Sequence, residues 1–160
     1  MSRTLVLLRH GKSAYPSGVA DHDRPLAPRG DRQAALAGQW IRDEGLAVDA
    51  VLCSTARRTR ETLTRTGITA PTRFVDDLYD ASASEILETI RIYAPEDAGT
   101  LLVVGHVPGM PSTALALDPA GEVAEFPTSA YAVLSIGVPW PEIGLTTDGD
   151  ARLIGVRIPR

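Results

Sequence analysis

Two apolar runs of strand length, Leu5-Val6-Leu7-Leu8 and Leu101-Leu102-Val103-Val104, each run out at a histidine. The first continues into Arg9-His10-Gly11 and the second into Gly105-His106. Short leucine- and valine-rich runs separated by helical patterns read as parallel strands buried on both faces. In open α/β sheets, ligands bind beyond the carboxyl ends of such strands, where loops leave the sheet and the topology changes direction. Both imidazoles are therefore expected on one functional edge, with Arg9 beside the first.

The 160 residues fit one domain, 1–160, with length enough to bury a core without disulfides or structural metals. Although 44% of the residues are hydrophobic, no apolar run approaches the ~20 residues a membrane span needs, so no membrane association is expected. The apolar segment behind Arg3 is too short for a signal-peptide core and lacks a small-residue cleavage site, which predicts a cytoplasmic protein. Cys53 is the single cysteine, so it can neither close a disulfide within the chain nor belong to a cysteine zinc cluster. With 16 basic against 20 acidic residues, the net charge of −4 argues against a general nucleic-acid binder. Any anion site must be local.

Strand and helix patterns alternate along the chain. The stretch Lys12 to Ala27, with Pro16, Gly18 and Pro25, is long enough to be a functional loop. Pro28 suits a first helical turn, and the helix it opens is predicted to reach Glu44, with Leu36, Trp40 and Ile41 on its core side and Gly45 as its stop. Ala50 to Cys53 reads as a strand, and Ser54 or Thr55 as the cap of a helix ending at Gly67. Arg73 to Val75 is a brief strand. Ser84 is the expected N-cap of a helix closed by Pro95. After the His106 strand come a helix around Ser112 to Leu117 and strands at Tyr131 to Ile136 and Leu153 to Ile158. Pro139, Pro141, Gly144 and Gly149 mark the intervening loop. This pattern predicts a three-layer α/β/α sandwich with a mainly parallel sheet.

A neutral imidazole at such an edge is nucleophilic near physiological pH and can form a covalent intermediate if something holds the charge of its electrophile. A phosphoryl group surrounded by guanidinium forks meets that condition. Arg9 is one fork, and the helix opening after Cys53 offers Arg57 and Arg58 together with its positive dipole end. Phosphoryl transfer depends chiefly on positioning and charge stabilisation, so a histidine between two arginines and a second histidine suffices without metal or cofactor. Of the two adjacent arginines, Arg57 is expected at the surface, because Glu61 lies one helical turn on and can pair with it. His22, between Asp21 and Asp23, has no second ligand at metal spacing and reads as solvated loop. Lys12 and Ser13 follow the first histidine closely enough to border a phosphate pocket.

Arg9-His10-Gly11 after a strand, Ser54-x-x-x-Arg58 followed by Glu61-Thr62, and Val104-Gly105-His106-Val107-Pro108-Gly109 resemble the three signature segments of the histidine phosphatase superfamily, to which the phosphoglycerate mutases also belong. Leu78-Tyr79-Asp80-Ala81-Ser82 and Asp23-Arg24-Pro25-Leu26-x-x-Arg29-Gly30 are similar to the SixA-type phosphohistidine phosphatase branch. The similarity spans Leu5 to about Leu134. Three segments in order, each where a strand ends, make a specific signal. The resemblance implies a phosphoglycerate mutase-like fold, His10 as phosphoryl acceptor, Arg9 and Arg58 as phosphate ligands, and His106 as a contact from the opposite side. Thr55, Thr59 and Glu61 stand where family members often have Pro, Ala and Gln, and they leave the arginine intact.

The general acid departs further from the family pattern. Larger members use a Glu in a Leu-x-Glu segment, whose nearest equivalent here is Asp80, one methylene shorter, with Asp23 as a rival. An imidazole leaving group protonates readily near neutral pH, so a phosphohistidine substrate reduces the need for that acid. The expected activity is hydrolysis of a phosphoryl group from a phosphorylated protein, with protein phosphohistidine as the favoured substrate. The alternatives are a small-molecule phosphomonoesterase or mutase acting on a small phosphorylated substrate, and a non-catalytic phosphoprotein-binding module.

Overall fold

The computed structural model describes residues 2–145 and 150–160; Gly149, expected to mark a loop, lies outside the described residues. Six strands form one sheet: β1 (Arg3–Arg9), β2 (Ala50–Ser54), β3 (Thr72–Val75), β4 (Thr100–Gly105), β5 (Tyr131–Ile136) and β6 (Ala151–Arg157), in the order β3-β2-β4-β1-β5-β6. The first four are mutually parallel; β5 runs antiparallel to β1, and β6 at the edge runs antiparallel to β5. Between them lie α1 (Pro28–Asp43), α2 (Arg57–Thr66), α3 (Ala83–Tyr93) and α4 (Gly109–Leu117).

The alternation of side chains along β1 separates the two cores. Leu5 and Leu7 pack with Ile86 and Ile90 of α3 and Met110 and Ala114 of α4. Val6 and Leu8 pack with Ala37 and Ile41 of α1 and Leu63 of α2, and Trp40 lies partly buried against that cluster. The result is the expected three-layer sandwich. Since β1 is followed by a helix on one face and its neighbour β4 by a helix on the other, their connections diverge. That divergence opens a crevice at the carboxyl ends of both strands.

Several element ends differ from the sequence expectation, each for a local reason. The N-cap of α3 is Ser82 and not Ser84: its Oγ accepts from the Glu85 N–H while the Glu85 carboxylate accepts from the Ser82 N–H, a reciprocal box. Neither Ser54 nor Thr55 caps α2, whose N-cap is Ala56; Ser54 is the last residue of β2. The final helix begins at Gly109, directly after Pro108. Cys53 is fully buried in β2, where burial pushes its thiol up to about 12.

Two glycine pairings bring backbones closer than any side chain would allow. A Cβ on Gly38 of α1 would stand 2.0 Å from the Thr66 carbonyl oxygen of α2, and one on Gly30 would stand 2.0 Å from the Lys12 carbonyl oxygen. The second contact seats the loop after β1 on the first turn of α1. Gly11 completes the seat, since its own Cβ would lie 2.6 Å from the Gly30 carbonyl oxygen.

Candidate active site

The register of β1 against β4 pairs Arg9 with Gly105, so the next residues, His10 and His106, emerge side by side. Their ring centroids are 5.4 Å apart and the rings are tilted by 58°. Around them lies a cavity of about 140 Å³, lined among others by Arg9, Lys12, Ser13, Arg58, Asp80 and Thr128. The structure thus brings together seven of the eight site residues expected from sequence. Asp23 is the one left outside: its carboxylate is 3.8 Å from His22 Nδ1 and largely exposed.

His10 is held by its neighbours in a single neutral form. Its Nδ1 is 2.7 Å from the Gly11 carbonyl oxygen. A carbonyl can only accept, so Nδ1 carries the proton and Nε2 keeps its lone pair. Burial is the main reason its pKa is lowered to about 4, with Arg58, Arg9 and Arg24 pushing the same way against the Gly11 bond. Gly11 N–H donates to Thr62 Oγ1 at 2.9 Å, and Lys12 N–H donates to Gln33 Oε1 at 3.0 Å, tying the loop to α2 and α1.

His106 is ordered by Ser54, which the sequence offered as a helix cap and as the start of a signature segment but not as a partner of this ring. Its Nε2 is 2.8 Å from Ser54 Oγ at the end of β2, the strand on the other side of β4. Ser54 Oγ accepts from the Ala56 N–H at 3.3 Å, so its own proton is available to His106 Nε2. That arrangement leaves the proton of His106 on Nδ1, a buried atom without a hydrogen-bond partner among the described residues. Burial, then His10 and Arg58, lower the His106 pKa to about 3. Asp80 Oδ1 lies 4.0 Å from Nδ1, and Asp80 itself sits exposed at the cavity mouth with a left-handed φ of 50° that Asp tolerates.

Both arginines use their outer nitrogens on protein and keep Nε free. Arg9 Nη1 donates to the Phe126 carbonyl at 3.0 Å. Arg58, only 4% exposed, donates from Nη1 to the Asp21 carbonyl at 2.8 Å and from Nη2 to Asp21 Oδ2 at 3.1 Å. The Nε atoms of Arg9 and Arg58 are buried and have no partner among the described residues. Arg57, by contrast, is exposed and paired with Glu61 at 3.1 Å, as its spacing predicts.

Asp21 is a site residue that sequence reasoning missed, and it organises the loop between β1 and α1. Its Oδ1 accepts from Arg24 Nε at 3.0 Å, and Tyr79 donates its hydroxyl to Oδ2 in a short hydrogen bond. That bond, with the guanidiniums of Arg24 and Arg58, holds the Asp21 carboxyl well below the usual carboxylate range. Tyr79 sets its ring edge-on against His106, with centroids 5.4 Å apart. His22 corrects the expectation of a solvated loop residue: it is half-buried, its Nε2 lies 3.0 Å from Thr55 Oγ1, and Tyr79 packs edge-on against it. The spacing Asp21-x-x-Arg24 was a visible signal for one of these contacts, because residues three apart meet across a helical turn. The contact of Ser54 with His106 had no local signal.

The cavity is therefore basic, with Arg9, Lys12, Arg24 and Arg58 on its walls against Asp80. Among the described residues no group of three or more His, Cys, Asp and Glu side chains gathers as a metal site would require. No helix among the described residues is long and apolar enough to cross a membrane.

Comparison with known proteins bears on this geometry. The sequence model of the histidine phosphatase superfamily (branch 1) matches residues 5–86. The uncharacterized protein Rv1276c of Mycobacterium tuberculosis is 48% identical, over 96% of this chain and 100% of its own length. A solved structure of a proposed phosphohistidine phosphatase SixA from Nakamurella multipartitia superposes with a TM-score of 0.90 at 42% identity, covering 99% of this chain and 97% of its own. The phosphohistidine phosphatase SixA of Escherichia coli is 24% identical over 81% of this chain and 83% of its own. The signature segments, the fold and these relatives agree, and the chain belongs to the histidine phosphatase superfamily.

Proposed function

We propose that this protein hydrolyses protein phosphohistidine through a covalent phosphohistidine on His10. The observation that carries the reading is a tautomerically defined His10 in a cavity that Arg9, Arg58 and His106 also line. In this mechanism Nε2 attacks phosphorus, an N–P bond forms, and the bond to the leaving nitrogen breaks with its electron pair staying on that nitrogen, which then takes a proton. Arg9 and Arg58 hold the phosphoryl oxygens, and His106 donates from Nδ1 on the opposite side. Water then attacks the phosphoryl group, releasing phosphate and restoring His10. Asp80 is within reach of the mouth to assist water or leaving group, while an imidazole leaving group makes little demand on it. Lys12 and Ser13 border the pocket.

The size of the cavity favours a protein substrate. Sites that enclose small molecules typically measure ~300–1,000 Å³, whereas about 140 Å³ admits a phosphoryl group and leaves the rest of the substrate outside. The name of the Escherichia coli relative supports the same substrate class. The charge of the transferring group is balanced by guanidinium groups and imidazole, so the reaction proceeds without metal.

Quenching the enzyme in alkaline denaturant during turnover of a phosphohistidine peptide tests the reading. Base-stable, acid-labile phosphate is expected on the wild type and absent from His10→Ala, with the rate unchanged by EDTA. Label on His106 instead, or a strict need for a divalent ion, overturns the assignment.

A further inference from the structure

The mouth of the cavity carries an aromatic side chain that the phosphoryl chemistry does not use. Tyr15 is the most exposed large hydrophobic side chain among the described residues, at 74%, in a chain with only 5% aromatic residues. It lines the same cavity as His10 and Arg58. One face of its ring is covered by Arg24, whose central carbon lies 4.1 Å from the ring centroid. Arg24 is itself immobilised: Nε donates to Asp21 Oδ1 at 3.0 Å, and Nη1 donates to Ser13 Oγ at 2.6 Å and to the Ala14 carbonyl at 3.1 Å.

An exposed tyrosine on a surface loop would ordinarily sample several rotamers. Here a cation held by three bonds sits within the ~6 Å range of cation–π attraction and keeps one ring face occupied. The base of the loop is also closed, because Ser13 and Leu26 form a bridge and the Ala14 N–H donates to the Pro25 carbonyl. The exposed remainder of the ring thus stands at the rim of the cavity, where the part of a substrate left outside can meet it. Aromatic faces prefer planar partners in offset or edge-on contact, and an imidazole or a phenyl ring is such a partner while an alkyl chain is not.

We infer that Tyr15, braced by Arg24, is a specificity-determining platform for planar, ring-bearing leaving groups. This deepens the proposed phosphohistidine activity and, for that substrate, rests on it. The platform selects the ring, and the His10 site acts on the phosphorus. Arg24 serves here as a positioning residue for Tyr15.

The test compares ring-bearing with ring-free partners of matched phosphorus chemistry in wild type, Tyr15→Ala and Tyr15→Phe. The first pair is a phosphohistidine peptide and phosphoramidate, which both break an N–P bond. Each substrate is compared with itself across the variants, so intrinsic reactivity cancels. The ratio of their kcat/KM values is expected to fall roughly two- to tenfold in Tyr15→Ala, the size of one aromatic contact, and to be retained in Tyr15→Phe. The second pair is phenylphosphonate and methylphosphonate, whose Kd ratio should shift the same way with no turnover involved. An unchanged ratio in both pairs overturns the platform; if it is unchanged because both members lose equally, Tyr15 only shields Arg24. A poor phosphohistidine substrate whose phosphonate ratio still shifts would sink the proposed substrate and leave the platform standing.

Discussion

Neighbouring arginines on α2 offer the sharpest test of the site. Side chains of adjacent helical residues point about 100° apart, and here Arg58 is buried against the cavity while Arg57 meets solvent and Glu61. Removing Arg57 takes away one exposed i,i+4 ion pair, worth no more than ~0.5 kcal/mol. Under the proposed mechanism, removing Arg58 takes away a charge-assisted contact to the phosphoryl group, worth roughly 1.5–3 kcal/mol. At about 1.4 kcal/mol per tenfold in rate, Arg58→Ala should lower kcat/KM by ~10- to 150-fold, and Arg57→Ala by less than ~2.5-fold. Arg58→Lys should also be strongly impaired, since one ammonium cannot bond the Asp21 carbonyl, the Asp21 carboxylate and the phosphoryl group in the geometry of the fork. The assay is hydrolysis of para-nitrophenyl phosphate at neutral pH, with thermal unfolding of each variant measured in parallel to separate lost folding from lost catalysis. Folded Arg57→Ala that loses as much activity as folded Arg58→Ala would refute the orientation of α2 and the phosphate site built on it.

Ser54→Ala strips His106 of its Nε2 partner and leaves a buried ring nitrogen unsatisfied, a loss of about 1–3 kcal/mol. It should lower kcat about tenfold, and an unchanged kcat would remove Ser54 from the mechanism. The lowered pKa values of His10 and His106 also predict a pH dependence of stability. Below pH ~6.5 the unfolded chain protonates both rings, while the folded chain resists until about pH 4 for His10 and about 3 for His106. Stability is thus complete above the unfolded value and falls as pH drops through this window, by up to about 1.4 kcal/mol per pH unit for each ring. Thermal melts from pH 7 to pH 5 should show the fall, reduced in His10→Gln; a flat profile contradicts it. Gly38→Ala should destabilise by ~1–3 kcal/mol through overpacking, read as a lowered Tm, because its Cβ would strike the Thr66 carbonyl. Stabilisation, the usual result of Gly→Ala inside a helix, would show that α1 and α2 are not in such close contact.

Elements with a strong periodic signal were legible in the sequence, and those defined by competition between local partners were not. Leu5 to Leu8 and Leu101 to Val104 had to be buried, and they are fully buried neighbours in the sheet. Pro28 and Gly45 marked both ends of the first helix, since one pre-sets the helical φ and the other adopts the left-handed φ of 75° at the exit. The start of α3 was misplaced by two residues because Ser82 and Ser84 are equally good caps on composition, and only Ser82 has Glu three positions on to complete the box. The reversed direction of β5 leaves no mark in its own side chains. It follows from where the preceding connections deliver the chain.

In the proposed mechanism, the division runs between groups that carry charge or lone pairs to the phosphoryl group and groups that hold them there. His10, Arg9, Arg58 and His106 could be named because phosphoryl chemistry asks for those residue types at strand ends. The roles of Ser54, Asp21, Thr62 and Tyr79 could not be assigned, although three of them lie in the family-like segments, because a hydroxyl or a carboxylate acquires its role only when another element is brought within hydrogen-bond distance. Ser54 illustrates the point: 52 residues separate it from His106, and they meet because β2 lies beside β4 in an order that skips β3. Asp21 is a stronger case, since a carboxylate beside an arginine proposed to bind phosphate would by charge alone compete with substrate. Its carboxylate and carbonyl instead occupy only Nη1 and Nη2 of Arg58, leaving the buried Nε turned to no protein partner among the described residues. An anion that saturates the outer edge of a guanidinium restricts its rotation and directs the remaining donor. The apparent conflict of charge is thereby the device that orients the fork.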